Sequence, residues 1–128
     1  RVIWLEGNVV ENGGQSVVIE LCGDERAHIR CDATDEKMKK GDAVVIAIRP
    51  EEVKLSLNKE GDGFNQVPCR VETAVFLGDR YECHLRYGAT TFALPTSRAE
   101  PVSAGQKICL RLSPNSVRIW RKGGYPSE

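Results

Sequence analysis

A chain of 128 residues with 18 basic and 18 acidic side chains carries no formal net charge, and 41% of it is hydrophobic. That length gives one domain or two small subdomains whose core needs no disulfide or metal staple. Neutrality argues against a dedicated nucleic-acid or anionic-membrane surface, and no apolar run approaches the ~18 residues that a bilayer crossing requires.

The chain opens at Arg1 inside an apolar stretch, Val2-Ile3-Trp4-Leu5, which reads as the cut end of a longer protein. From there, apolar and polar residues alternate with the period of two that marks half-buried strands. Val17, Ile19 and Leu21 form one apolar row, and Val44, Ile46 and Ile48 form another. A short helix or helical turn is expected only over Ala33–Lys40, capped by Asp32 or Thr34. Pro50 cannot donate to a sheet ladder and marks a corner, with Arg49 extended before it. Val53, Leu55 and Leu57 continue the apolar row beyond that corner.

Past a polar, glycine-containing linker, Tyr81, Cys83, Leu85 and Tyr87 face inward, and Arg80, Glu82, His84 and Arg86 face out. Ile108, Leu110 and Leu112 are expected inward, with Cys109 and Arg111 outward. Turn chemistry recurs at Asn12-Gly13-Gly14, Cys22-Gly23-Asp24, Gly61-Asp62-Gly63, Gly78-Asp79 and Tyr87-Gly88. About ten short strands and little helix follow, hence an all-β barrel or sandwich.

One segment occurs twice at an offset of 64 residues: GDAVVIAIRPEEVKLS at 41–56 and GQKICLRLSPNSVRIW at 105–120. Gly41 matches Gly105, Pro50 matches Pro114, and Val53 matches Val117. Two copies are too few for a solenoid and suit two related β-units closing over shared apolar faces. The expected organisation is a first β-unit at 1–58, a linker at 59–66, a second β-unit at 67–120 packing on the first, and a flexible tail at 121–128.

Chemistry-bearing motifs are scarce. The five cysteines, Cys22, Cys31, Cys69, Cys83 and Cys109, contain no CxxC pair and fall in or beside strand-like segments. They are expected to be reduced packing residues and not metal ligands. No phosphate loop or GxSxG nucleophile motif is present, and the adjacent carboxylates of Glu51-Glu52 would diverge on a strand. No catalytic constellation and no cofactor site are expected within these residues.

The string AIRPEEVKLS at 47–56, followed by VPCRVETAVFLGDRYECHLRYG at 67–88, resembles the TOBE domain, the C-terminal regulatory region of the ATP-binding subunits of bacterial ABC importers. Arg49-Pro50-Glu51 and Leu77-Gly78-Asp79 carry the likeness, with the strand at 105–120 and Leu5-Glu6-Gly7-Asn8-Val9-Val10. The closest subgroup handles polyamines, iron or sulfate, with a tilt toward spermidine and putrescine. The resemblance implies an oligonucleotide-binding (OB)-like β-barrel of TOBE or molybdate-binding (MOP) type. It would be appended to an ATPase domain that binds ATP and Mg outside these residues. It also implies a second copy of the subunit as partner, permease subunits reached through the ATPase domain, and a place at the cytoplasmic face of the membrane.

On that reading the domain biases an ATPase dimer without catalysing anything itself. The residues expected at regulatory or interface contacts are Arg49, Glu51, Phe76, Leu77, Asp79 and Arg80. A tight hairpin with no further role explains residues 76–80 equally well, and Arg49 reads equally as a corner residue holding backbone carbonyls or Glu51. Two rivals remain open: an oxyanion-binding module for molybdate, tungstate or sulfate, and a single-stranded nucleic-acid binder. The second is the poorer, because the chain is neutral and holds two Trp, three Tyr and three Phe.

Overall fold

The computed structural model describes residues 2–32, 38–57, 61–97 and 102–122. Among these, ten strands follow one another: β1 (Ile3–Asn12), β2 (Ser16–Cys22), β3 (Arg26–Asp32), β4 (Ala43–Ile48), β5 (Lys54–Ser56), β6 (Gln66–Phe76), β7 (Arg80–Tyr87), β8 (Thr90–Ser97), β9 (Lys107–Arg111) and β10 (Val117–Arg121). Single 3-10 turns at Pro50–Glu52 and Pro114–Ser116 are the only helical elements among the described residues. Both follow an extended residue, Arg49 at φ −84° and Ser113 at φ −81°, as a residue before proline must be.

The strands form two five-stranded antiparallel sheets, in the orders β10-β4-β1-β2-β3 and β5-β9-β6-β7-β8. The orders are equivalent once the repeat is laid over them, with one consequence. Strand β5 belongs to the first copy of the repeated segment and pairs with β9 in the second sheet. Strand β10 belongs to the second copy and pairs with β4 in the first. Each 3-10 turn carries the chain across, so every sheet is completed by a strand from the other half.

Local detail repeats as well. The β1–β2 register shifts between Val9 and Glu11, and the β6–β7 register between Val71 and Thr73. Such bulges bend a strand and raise its twist, which curls each sheet. Val9 exchanges backbone hydrogen bonds with Gly41 and Asp42, and Val71 with Gly105 and Gln106. Gly41 (φ 95°) and Gly105 (φ 85°) sit in the left-handed region that these turns need.

Side chains inside both sheets form a single buried cluster, including Leu5, Ile19, Leu21, Ile29, Ile46 and Ile48 from the first and Val67, Leu85, Leu94 and Leu110 from the second. Val117 and Ile119 of β10 join it as part of the first sheet. The first sheet ends at β3, whose free edge is occupied by Asn65, just before β6. The Asn65 amide N–H donates to the His28 carbonyl (2.9 Å), and its Oδ1 accepts from Arg30 N–H (2.6 Å). Its Nδ2 donates to the Arg30 carbonyl (3.1 Å). Asn65 therefore satisfies part of an edge that would otherwise invite pairing with another chain, the side chain at Arg30 and the backbone at His28.

Two expectations need correction and one gains a qualification. Cys109 stays outside the core cluster that holds its neighbours Ile108 and Leu110, as alternation expects, yet its side chain is buried on that outer face. Leu57 is 60% exposed and does not extend the inner row, since β5 stops at Ser56. Cys22 is exposed at the end of β2, whereas the other four thiols are buried. The helix expected over 33–40 falls mostly outside the described residues. Met38 is buried there, and Asp42 Oδ2 accepts from Lys39 N–H to close the turn before β4.

Burial pushes the Cys31 and Cys69 thiols up to about 12. A thiol reagent at neutral pH is therefore expected to modify Cys22 alone and to reach the other four only on unfolding. The same groups set an alkaline limit. The unfolded thiols ionise near 9 while the folded ones keep their protons, so the folded form binds more protons above that pH. Stability is then expected to fall as pH rises from 9 toward 12. Denaturant titrations at pH 8 and pH 10 with equal midpoints would contradict this.

Candidate functional site

The residues singled out from sequence form two groups. Phe76, Leu77, Asp79 and Arg80 share the tip of the β6–β7 hairpin. There Leu77 N–H donates to the Arg80 carbonyl (2.7 Å), and Gly78 takes φ 100°. The Phe76 and Tyr81 rings pack at 5.1 Å across the hairpin. Even so, Val75, Phe76 and Leu77 are each nearly half exposed. Arg80 Nη1 lies 3.3 Å from Asp79 Oδ2, an open pair worth at most ~1 kcal/mol. The tip is therefore an exposed apolar hairpin end whose turn hydrogen bond is made.

Arg49 and Glu51 lie elsewhere. Arg49 pairs with Glu52 (3.7 Å) and not with Glu51, which is exposed in the 3-10 turn. That corner precedes Lys54, which opposes Arg111, and Arg111 in turn opposes Gln66 at the start of β6. The hairpin tip is ten residues further along β6, about 30 Å of extended strand. The corner and the tip thus sit at opposite ends of the second sheet and do not form one site.

Sequence reasoning did not find a cavity of about 380 Å³ lined by Trp4, Leu5, Glu6, Cys22, Val45, Tyr87, Ala89, Thr90 and Lys122. The alternation along β1 puts Trp4 and Glu6 on the outer face of the first sheet, and Val45 opposes Glu6 on β4. Trp120 opposes Val45 from β10 and packs on Trp4 at 5.9 Å between ring centroids. The two indoles cover the outer side of β4, where Val45 and Ala47 are also buried. Lys122 N–H donates to the Ala43 carbonyl (2.9 Å), and its ammonium lies 2.7 Å from Glu6 Oε1. The opposing wall comes from the β7–β8 turn. Tyr87 is fixed there by its hydroxyl, which donates to the Glu25 carbonyl (2.7 Å), and burial pushes that hydroxyl up to about 12.

Elsewhere, His28 and Arg26 reach Glu20 (3.0 and 3.9 Å), and Arg30 stacks 4.0 Å from the Phe64 ring centroid. Among the described residues no group of three His, Cys, Asp or Glu side chains converges as a metal cradle. No helix among them is long and apolar enough to cross a membrane.

Two exchanged, bulged β-units with proline corners at equal spacing define a class, and the sequence places the chain within it. A TOBE domain model matches residues 46–120, and the chain belongs to that family. Among curated proteins it is 29% identical over 93 residues to the spermidine/putrescine import ATP-binding protein PotA of Desulfitobacterium hafniense, covering 73% of this chain and 25% of that one. It is also 29% identical over 97 residues to the protein of the same name from Clostridium acetobutylicum, covering 76% of this chain and 26% of that one. The chain thus spans about a quarter of the length of these relatives. Among solved structures it resembles the cytoplasmic molybdate-binding protein ModG with molybdate bound, at a TM-score of 0.67 and 15% identity, over 96% of this chain and 95% of that one. That likeness concerns the fold alone, which is OB-like, and runs well beyond residues 46–120.

Proposed function

We propose that this chain is the C-terminal regulatory and dimer-contact domain of the ATP-binding subunit of an ABC importer of polyamine type. The observation that carries the proposal is the family match across residues 46–120, joined to relatives whose names specify spermidine/putrescine import. The domain acts by linkage. A contact stronger in one state of the ATPase dimer biases that equilibrium by its differential free energy, ~1–3 kcal/mol in typical cases. ATP and Mg belong to the remainder of the subunit, which works at the cytoplasmic face with permease subunits and a second copy of itself. Val75, Phe76 and Leu77 supply the apolar contact, and Asp79 and Arg80 frame it with opposite charges.

The test uses the complete subunit carrying Phe76→Asp and Leu77→Asp. Both side chains are exposed, so the fold should survive. The expected result is at least a ~5-fold change in the dependence of ATPase rate on subunit concentration. Unchanged ATPase behaviour in both variants would remove the tip from the account.

A second reading is favoured by the fold likeness to ModG over nearly the whole chain. On it, the paired units bind a tetrahedral oxyanion through backbone N–H groups. Calorimetric titration with molybdate, tungstate and sulfate separates the two, since the regulatory reading expects no saturable heat from any of them.

A further inference from the structure

The cavity beside Trp4 is built from both sheets, and the hairpin-tip contact does not use it. Its walls mix aromatic and apolar side chains (Trp4, Val45, Tyr87) with polar groups, and the Glu6–Lys122 ion pair stands at its rim. At about 380 Å³ it lies at the small end of the ~300–1,000 Å³ typical of ligand pockets. Glu6 and Lys122 side chains are 64% and 59% exposed and stand on long, flexible stems, so the pair can open without disturbing the fold.

The sign of the rim charges selects the ligand. A simple cation entering against Glu6 displaces Lys122 and then faces it as a like charge. A simple anion does the same to Glu6. A molecule carrying both charges on neighbouring atoms inserts into the pair and leaves each side chain with an opposite partner. We propose that this cavity is a binding site for a small zwitterion with an apolar body, an α-amino acid with an aliphatic or aromatic side chain. The ammonium meets Glu6, the carboxylate meets Lys122, and the side chain lies against Trp4 and Val45. Thr90 offers a hydroxyl at the same rim.

Binding needs no ATPase activity, so the test is independent of the proposed regulatory role. Trp4 and Trp120 are the only tryptophans in the chain and they pack together, so intrinsic fluorescence reports directly on the cavity. The probes are L-leucine and L-phenylalanine, with isoamylamine lacking the carboxylate and 4-methylpentanoate lacking the ammonium. The expected result is a saturable fluorescence change with either amino acid and weaker binding of both single-charge analogues. Glu6→Gln and Lys122→Met should each weaken leucine roughly 2- to 5-fold, the size of an exposed charge contact. Glu11→Gln, on the same strand but away from the cavity, should leave it unchanged. The absence of a saturable response to either amino acid would overturn the proposal. So would isoamylamine or 4-methylpentanoate binding as tightly as leucine, or an unaltered leucine affinity in both rim variants.

Discussion

Replacing Asn65 with alanine is expected to destabilise the protein by about 3 kcal/mol. The amide satisfies both the N–H and the carbonyl of Arg30, on the edge strand of the first sheet. Its own backbone N–H donates to the His28 carbonyl and its carbonyl accepts from Leu112 N–H (2.9 Å), so the residue ties β3 to the start of β6 and the end of β9. Removing the side chain leaves two partly buried backbone groups without their partner, each costing ~1–3 kcal/mol. The backbone adds to this, because Asn65 has φ 60° and alanine tolerates that region ~1 kcal/mol less well. Asn65→Gly relieves the second cost only and should recover about 1 kcal/mol. Asn65→Asp keeps the acceptor for Arg30 N–H but sets a carboxylate oxygen against the Arg30 carbonyl, and it should be no better than alanine. Urea denaturation of the three variants checks the order, and an alanine variant within ~0.5 kcal/mol of the parent would contradict it.

The second large effect is expected at Gly7, in the middle of the first sheet. Its φ is unremarkable, so space and not conformation requires glycine. A Cβ there would lie 2.6 Å from the Glu20 carbonyl oxygen, 2.8 Å from Ile19 Cγ2 and 2.9 Å from Leu21 Cδ2. Gly7 is paired on both sides, with Leu21 and Val44, so β1 cannot move without breaking one ladder or the other. Overpacking of this kind costs ~1–3 kcal/mol, and Gly7→Ala should reach the top of that range because the nearest atom is backbone. Gly14→Ala is the control. There φ is 88° but nothing lies within 4 Å of the added atom, so only the ~1 kcal/mol conformational cost applies. If the two substitutions cost the same, the close approach of β1 and β2 is wrong.

The strands were largely legible. Alternation located the inner rows at Val17-Ile19-Leu21, Val44-Ile46-Ile48 and Cys83-Leu85-Tyr87, because a sheet with one buried face imposes a period of two. The repeat also foretold two units of equal construction. What it did not reveal is the exchange of β5 and β10. Sequence similarity says that two segments are alike, and pairing depends on where the 3-10 turns send them. Cys109 takes the outer face that alternation assigns, and only its burial there was not legible. Alternation cannot register cover supplied from outside the strand. Asn65 gave one local hint, an asparagine after a glycine-rich turn, where positive φ is tolerated. Its partner Arg30 lies 35 residues earlier, beyond any local pattern. Among the candidate contact residues, Phe76 to Arg80 were legible as one hairpin. Their separation from Arg49 and Glu51 required the register of β6 against β9.

The most direct measurement compares ATP-dependent dimerisation of the complete ATP-binding subunit with that of the same subunit lacking these 128 residues. Sedimentation velocity across a concentration series, with and without nucleotide, gives the dimer constant in each state. The account predicts that removing the domain changes the ratio of the two constants by about 5- to 150-fold, the range of a typical coupling, while nucleotide binding to the monomer stays as it was. An unchanged ratio would mean that the two nucleotide states do not differ in any contact this domain makes, and the regulatory reading would fall.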